Sequence, residues 1–139
     1  MVLLDTHSWI WSIEGDTRRV GKKAQALLAR AEARERIRVS PVSIFEIVAL
    51  HTSGRLRLSR PAEGWIRDSL SAAGVRLAEM TPSIAIDAGA IPRTALADPL
   101  DRLLVATARQ LDATFITADQ QILQYARDTL NLRAHDLTV

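Results

Sequence analysis

Short apolar runs alternate along this chain with segments of helical period, and that alternation narrows the choice of fold more than any other feature. Val2-Leu3-Leu4, Ile37-Arg38-Val39, Val75 to Met80 and Thr114-Phe115-Ile116-Thr117 are strand candidates, with Leu132-Arg133-Ala134 as a last short one. Consecutive apolar residues suit strands covered on both faces, as in a parallel sheet. Between the runs, Trp9 to Ile13 suggests a short helix broken by Glu14-Gly15-Asp16. Residues 20–36 are rich in Ala, Leu, Arg and Glu and form a longer one. Ser40-Pro41 opens a helix that Gly54 ends, and Arg55 to Arg60 is a basic connector with a strand-like alternation. Further helices are expected over Pro61 to Ala73, from Thr81-Pro82 (carrying Ile84, Ile86 and Ala88), over Pro99 to Leu111 and over residues 120–126. The reading is α/β: a three-layer α/β/α sandwich with a short, mainly parallel central sheet of four or five strands, in a single domain over residues 1–139.

Four acids stand in awkward places on this frame. Asp5 stops the first apolar run and Asp119 follows the fourth strand. Glu46 is the one acid of an otherwise apolar helix, and Asp101 lies against Leu104, Val105 and Ala108 at helical spacing. In an open parallel sheet, ligands bind beyond the carboxyl ends of the strands, where strand order reverses. Carboxylates gathered there raise one another's pKa unless a cation offsets them. An all-oxygen donor set suits Mg²⁺ or Mn²⁺, and such ions carry out phosphodiester chemistry.

Composition removes other classes. The chain has no cysteine, which excludes disulfides, thiolate nucleophiles and Cys-based metal sites. No apolar run reaches the length of a membrane span, and Met1 to Asp5 has no basic leader, so a soluble cytoplasmic protein is expected. A formal net charge of only +2 gives no global footprint for nucleic acid, so any such contact must come from local clusters. Arg18, Arg19, Lys22 and Lys23 form the densest, with Arg55, Arg57 and Arg60 second.

Leu3-Leu4-Asp5-Thr6-His7, Val42-Ser43-Ile44-Phe45-Glu46-Ile47, Asp98-Pro99-Leu100-Asp101-Arg102 running on to Ala108, and Phe115-Ile116-Thr117-Ala118-Asp119 occur in this order over nearly the whole chain. As a set they resemble the PIN-domain family and, within it, the VapC toxins of bacterial toxin–antitoxin pairs. The resemblance implies a PIN-like fold and a Mg²⁺- or Mn²⁺-dependent endoribonuclease that hydrolyses RNA with metal-activated water, leaving a 5′ phosphate and a 3′ hydroxyl. It implies Asp5, Glu46, Asp101 and Asp119 as the catalytic, metal-binding acids, with Asp101 rather than Asp98 as the third. Thr6, Thr117 and His7 are expected to support them. Arg18, Arg19, Lys22, Lys23 and Arg102 are candidate contacts to the RNA backbone. The implied partners are an RNA substrate, a cognate antitoxin whose inserted segment blocks the acidic groove, and a second copy in a homodimer. Ala118 departs from the pattern, a basic or polar residue being commoner before the fourth acid.

Plainer readings compete. Asp101, three residues after Asp98, also suits an acid decorating the positive end of a helix, and Asp119 suits an N-cap. Asp98 reads as a cap only, and Trp9 and Trp11 as core or dimer contacts rather than base-stacking platforms. Two other functions fit a small α/β domain with clustered acids: a Mg²⁺-binding receiver-like signalling module, and a PIN-like domain that binds nucleic acid without cutting it. A receiver needs an acidic pair after the first strand, an acceptor Asp after the third and a Lys near its end. Here Asp5 is single, Met80-Thr81 closes the third strand, and the only lysines are Lys22 and Lys23.

Overall fold

The computed structural model describes residues 1–139. Five strands, β1 (Val2–Leu4), β2 (Ile37–Val39), β3 (Val75–Leu77), β4 (Thr114–Thr117) and β5 (Ala134–Asp136), form one sheet in the order β3-β2-β1-β4-β5. Every pairing is parallel. The helices are α1 (Thr6–Glu14), α2 (Lys22–Ala33), α3 (Pro41–Thr52), α4 (Ala62–Leu70), α5 (Pro82–Ala90), α6 (Pro99–Leu111) and α7 (Gln120–Thr129). From β1 the chain builds outward to β2 and β3, then returns to lay β4 on the other side of β1. The order therefore reverses between β1 and β4, and that reversal opens a crevice at their carboxyl ends. A receiver-like sheet runs 2-1-3-4-5, so the strand order rules that rival out.

Side chains alternate across the sheet and feed two cores. Val2, Leu4, Ile37, Val39 and Ile116 face a layer built on α1, α2 and α4, with Trp9 and Trp65 at its centre and wholly buried. Leu3 and Phe115 face the opposite layer, where Leu104, Val105 and Ala108 of α6 meet Ile122 of α7. Helix α5 packs outside α6 through Ile84, Ala88 and Ala106. The three-layer arrangement expected from the alternation is thus present, with five strands.

Several boundaries differ from expectation, each for a local reason. Helix α1 starts at Thr6, three residues earlier than the apolar pattern suggests, because Asp5 caps it by accepting from Ser8 N. Strand β3 stops at Leu77, and the last strand lies two residues later than expected, at Ala134–Asp136. The connector after Gly54 forms no strand, α4 ends at Leu70, and α7 runs on to Thr129. On α5, Ile84 and Ala88 are buried while Ile86 is 74% exposed.

The amino end of α2 has no side-chain cap at Gly21; the carboxyl-terminal segment closes it instead. Gly21 N donates to Leu137 O (2.8 Å) and Lys23 N to Val139 O (3.0 Å). A Cβ at Gly21 would lie 2.2 Å from the Val139 carbonyl carbon, so Gly21→Ala must lift this segment away from the helix. We expect that substitution to cost about 1–3 kcal/mol of stability. A lowered urea midpoint with an unchanged slope is the measurement that checks it.

Candidate active site

Strand β1 ends at Leu4, and the next residue turns its carboxylate into the β1/β4 crevice. Asp5 Oδ1 accepts from Ser8 N at 2.8 Å, while Oδ2 accepts from the Thr117 hydroxyl at the end of β4. Thr117 Oγ1 in turn accepts from Asp119 N at 3.0 Å, so one hydroxyl ties together acids that stand on different strands. Asp119 caps α7, its Oδ1 accepting from Gln121 N (2.8 Å) and Ile122 N (3.3 Å). Across the crevice, Glu46 projects from α3, and its Oε1 takes a 2.6 Å hydrogen bond from the Thr6 hydroxyl. Thr6 also hydrogen-bonds the buried Ser43 hydroxyl at 3.0 Å, which locks α1 against α3. The Thr6 and Thr117 hydroxyls each hold one carboxylate.

Asp101 differs from the other three. It sits in the first turn of α6 and gains no hydrogen bond; burial and the fields of Asp98, Asp119, Glu46 and Asp5 push its carboxyl up to about 7. Burial also raises the Asp5 carboxyl, although hydrogen bonds from Thr117 and Ser8 act the other way. Asp98 does cap α6, accepting from Leu100 N at 2.9 Å. It also lines the cleft and is the largest coulombic influence on Asp101, so the reading of Asp98 as a cap alone is too narrow.

Together Asp5, Glu46, Asp98, Asp101 and Asp119 line a single open cleft of about 370 Å³, with His7, Trp11 and Leu104 completing its wall. No lysine or arginine lines it. The acids do not close into a ligand shell: no three acidic or histidine side chains meet at ion-binding spacing. Their chemistry nevertheless fits a hard divalent cation. The donors are oxygen only, they line one cleft without a basic partner, and burial together with the neighbouring acids pushes one of them, Asp101, up to about 7.

The basic candidates fall outside this cleft. Arg18 and Arg19 reach Asp16 at 4.0 and 3.0 Å, and no ion pair involves Lys22, Lys23 or Arg102. Arg102 does not line the cleft, and its Nε is buried without a partner. In the second cluster, Arg60 pairs with Asp68. Trp11 packs on the core as expected and also forms part of the cleft wall, four residues after His7 on α1.

The family model for the PIN domain matches residues 2–128. The chain belongs to the PIN domain family. This PIN chain is 33% identical over 122 residues to Ribonuclease VapC22 of Mycobacterium tuberculosis (strain ATCC 25618 / H37Rv), covering 87% of the chain and 88% of that relative. Its fold is similar to solved toxin–antitoxin structures. VapBC2 from Rickettsia felis, bound to a DNA fragment from its promoter, matches with a TM-score of 0.68 at 16% identity, over 98% of both chains. DNA-bound VapBC from Salmonella typhimurium gives a TM-score of 0.68 at 16% identity, over 98% of this chain and 97% of that one.

A raised acid pKa in the folded PIN domain has a stability consequence of definite sign. The folded state holds the Asp101 proton up to about pH 7, whereas the unfolded chain releases it near pH 4. Stability is therefore lost as pH rises across that window and stays lost above it. Asp101→Asn removes the effect. Without divalent ions and above pH 7, we expect the variant to melt about 2–5 °C higher than wild type, with the gap closing by pH 4. Thermal melts across that pH range read this directly.

Proposed function

We propose that this PIN chain is a Mg²⁺- or Mn²⁺-dependent endoribonuclease and the toxin of a toxin–antitoxin pair. The observation that carries the proposal is the cleft itself: five carboxylates at the point where strand order reverses, with no lysine or arginine among its walls. Asp5, Glu46, Asp101 and Asp119 are the proposed metal-holding acids. Asp5 and Glu46 are already aimed by the Thr117 and Thr6 hydroxyls, which leaves one oxygen of Glu46 unused. Asp101, with no hydrogen bond, has both oxygens available. When bound, the cation supplies activation of water for in-line attack on the phosphodiester and charge for the leaving 3′ oxygen. The chain's own part is to fix the carboxylates before substrate arrives, so that little reorganisation is left for the reaction. His7, at the rim, offers an imidazole beside Asp5 rather than a metal ligand.

Likeness to Ribonuclease VapC22 and to VapBC complexes supports the same reading and suggests an antitoxin as cognate partner. No helix is long and apolar enough to cross a membrane. A homodimer is proposed from the apolar side chains left on the surface. Phe45 is 63% and Val48 41% exposed on α3, and Ile86 is 74% exposed on α5.

The partner-free protein should cut a mixed single-stranded RNA panel in Mg²⁺ or Mn²⁺ and stop in EDTA. Asp5→Asn, Glu46→Gln, Asp101→Asn and Asp119→Asn should each lower the rate by about 100-fold or more. Cutting that survives Asp101→Asn but not Asp5→Asn would return Asp101 to a helix-end role. Metal binding without cutting of any RNA would leave a binding domain.

A further inference from the structure

One tryptophan behaves unlike the other two. Trp9 and Trp65 pack against each other at 5.5 Å with their rings tilted by 59°, and both are wholly buried. Trp11, two residues on, is only half-buried; it packs on the core and also forms part of the acidic cleft's wall. It does not stand alone. The His7 imidazole, exposed and also on the cleft wall, lies 5.5 Å from the Trp11 ring at a 52° tilt. The Arg19 guanidinium sits 4.7 Å above the Trp11 centroid. Its Nε lies 3.0 Å from Asp16, an ion pair that offsets part of its charge. The three side chains make a continuous series of π and guanidinium planes, running from the acids out to the surface.

Phosphate binding does not account for this series. An arginine already paired with an aspartate is a poor phosphate clamp, and neither His7 nor Trp11 carries a fixed charge. Flat groups of this kind hold unpaired bases: single-stranded RNA is gripped by stacking on aromatic rings and on guanidinium planes, largely independent of sequence. We propose that His7, Trp11 and Arg19 form a stacking rail that holds the bases flanking the scissile phosphate, with Trp11 as its spine. The rail would make the cleft selective for single-stranded over duplex substrate, because paired bases offer no free face. This rests on the nuclease reading above for its substrate class, and it reassigns Arg19 from backbone contact to base platform.

The test uses wild-type protein first, because Trp11 is the sole tryptophan with a face near solvent and its fluorescence reports the rail. A short oligoadenylate in Mg²⁺ should quench the emission, and an abasic ribose-phosphate chain of equal length should not. His7→Ala and Arg19→Ala, both at exposed positions, should weaken oligoadenylate binding about 5- to 100-fold. On the RNA panel they should raise KM far more than they lower kcat. Arg19→Lys keeps the charge but loses the plane, so it should not restore binding. Equal quenching by the abasic chain, or full rescue by lysine, would overturn the rail in favour of simple phosphate attraction. Metal-dependent cutting with no quenching by any RNA would sink the rail and leave the nuclease standing. Quenching confined to an antitoxin-derived peptide would make the surface a protein-docking site and overturn the proposal. Base-dependent quenching with no cutting would uphold the rail and remove the catalytic reading.

Discussion

The pairing of β1 with β4 is the constraint on which the rest of the molecule depends. Val2, Leu3 and Leu4 lie in register with Thr114, Phe115 and Ile116, so residues more than a hundred positions apart end side by side. Asp5 N continues the ladder by donating to Ile116 O at 3.1 Å, and the Ser8 hydroxyl donates to the same carbonyl at 3.0 Å. That doubly used carbonyl fixes the start of α1 against the end of β4. Because the register is set by Leu3 and Phe115 facing one core while Leu4 and Ile116 face the other, a slip by one residue would invert both faces. The position of Asp5 relative to Thr117 is therefore a result of core packing. The hydrogen bond between them refines it.

A cluster made this way opposes stability. Helix capping offers partial relief, since Asp5, Asp98 and Asp119 each accept main-chain N–H groups at a helix start, where the backbone dipole favours a negative charge. Asp101 sits in the first turn of α6 and gains no such bond; burial first, and then the fields of the other acids, push its carboxyl up to about 7. Keeping one carboxyl neutral costs less than holding every acid of the cleft ionised without a counter-charge.

Much of this was legible in the sequence, and the exceptions have physical causes. The first strand could be read because three consecutive apolar residues, Val2-Leu3-Leu4, suit a strand covered on both faces, and the second and third because apolar residues flank a single arginine in Ile37-Arg38-Val39 and Val75-Arg76-Leu77. The start of α6 was marked by Asp98-Pro99 and its end by the last apolar residue at helical spacing, Leu111. The start of α1 was not legible. Thr6, His7 and Ser8 have poor helix propensity, and the Asp5 cap together with the tertiary bonds of Thr6 to Glu46 and of Ser8 to Ile116 O holds them helical. That error had a cost downstream. With α1 begun late, His7 and Trp11 have no shared face, and Trp11 reads as another core residue. Asp98 was underread for a similar reason, since a cap is recognised by what it does to its own helix and not by the charges across a cleft. Ile86 is an apolar side chain that the monomer leaves open to solvent, which spacing within its own helix does not reveal.

The division of labour around Trp11 follows from where α1 lies. One face of the helix, with Trp9 and Ile10, is buried in the core. The next, with Thr6, His7 and Trp11, borders the acids, and Trp11 also lines the apolar groove running beside α2 past Ile13 and Val20. A helix with two of its faces spoken for by packing and by the acids has one side chain at the boundary between an acidic cleft and an apolar groove. Only a large, flat group satisfies both sides. It gives the groove its apolar surface and gives the cleft a ring face, while its single N–H asks for little solvation. Arg19 extends that surface outward, its guanidinium carbon 4.7 Å from the ring centroid and its Nε paired with Asp16. The geometry that places the acids therefore also dictates what can stand next to them.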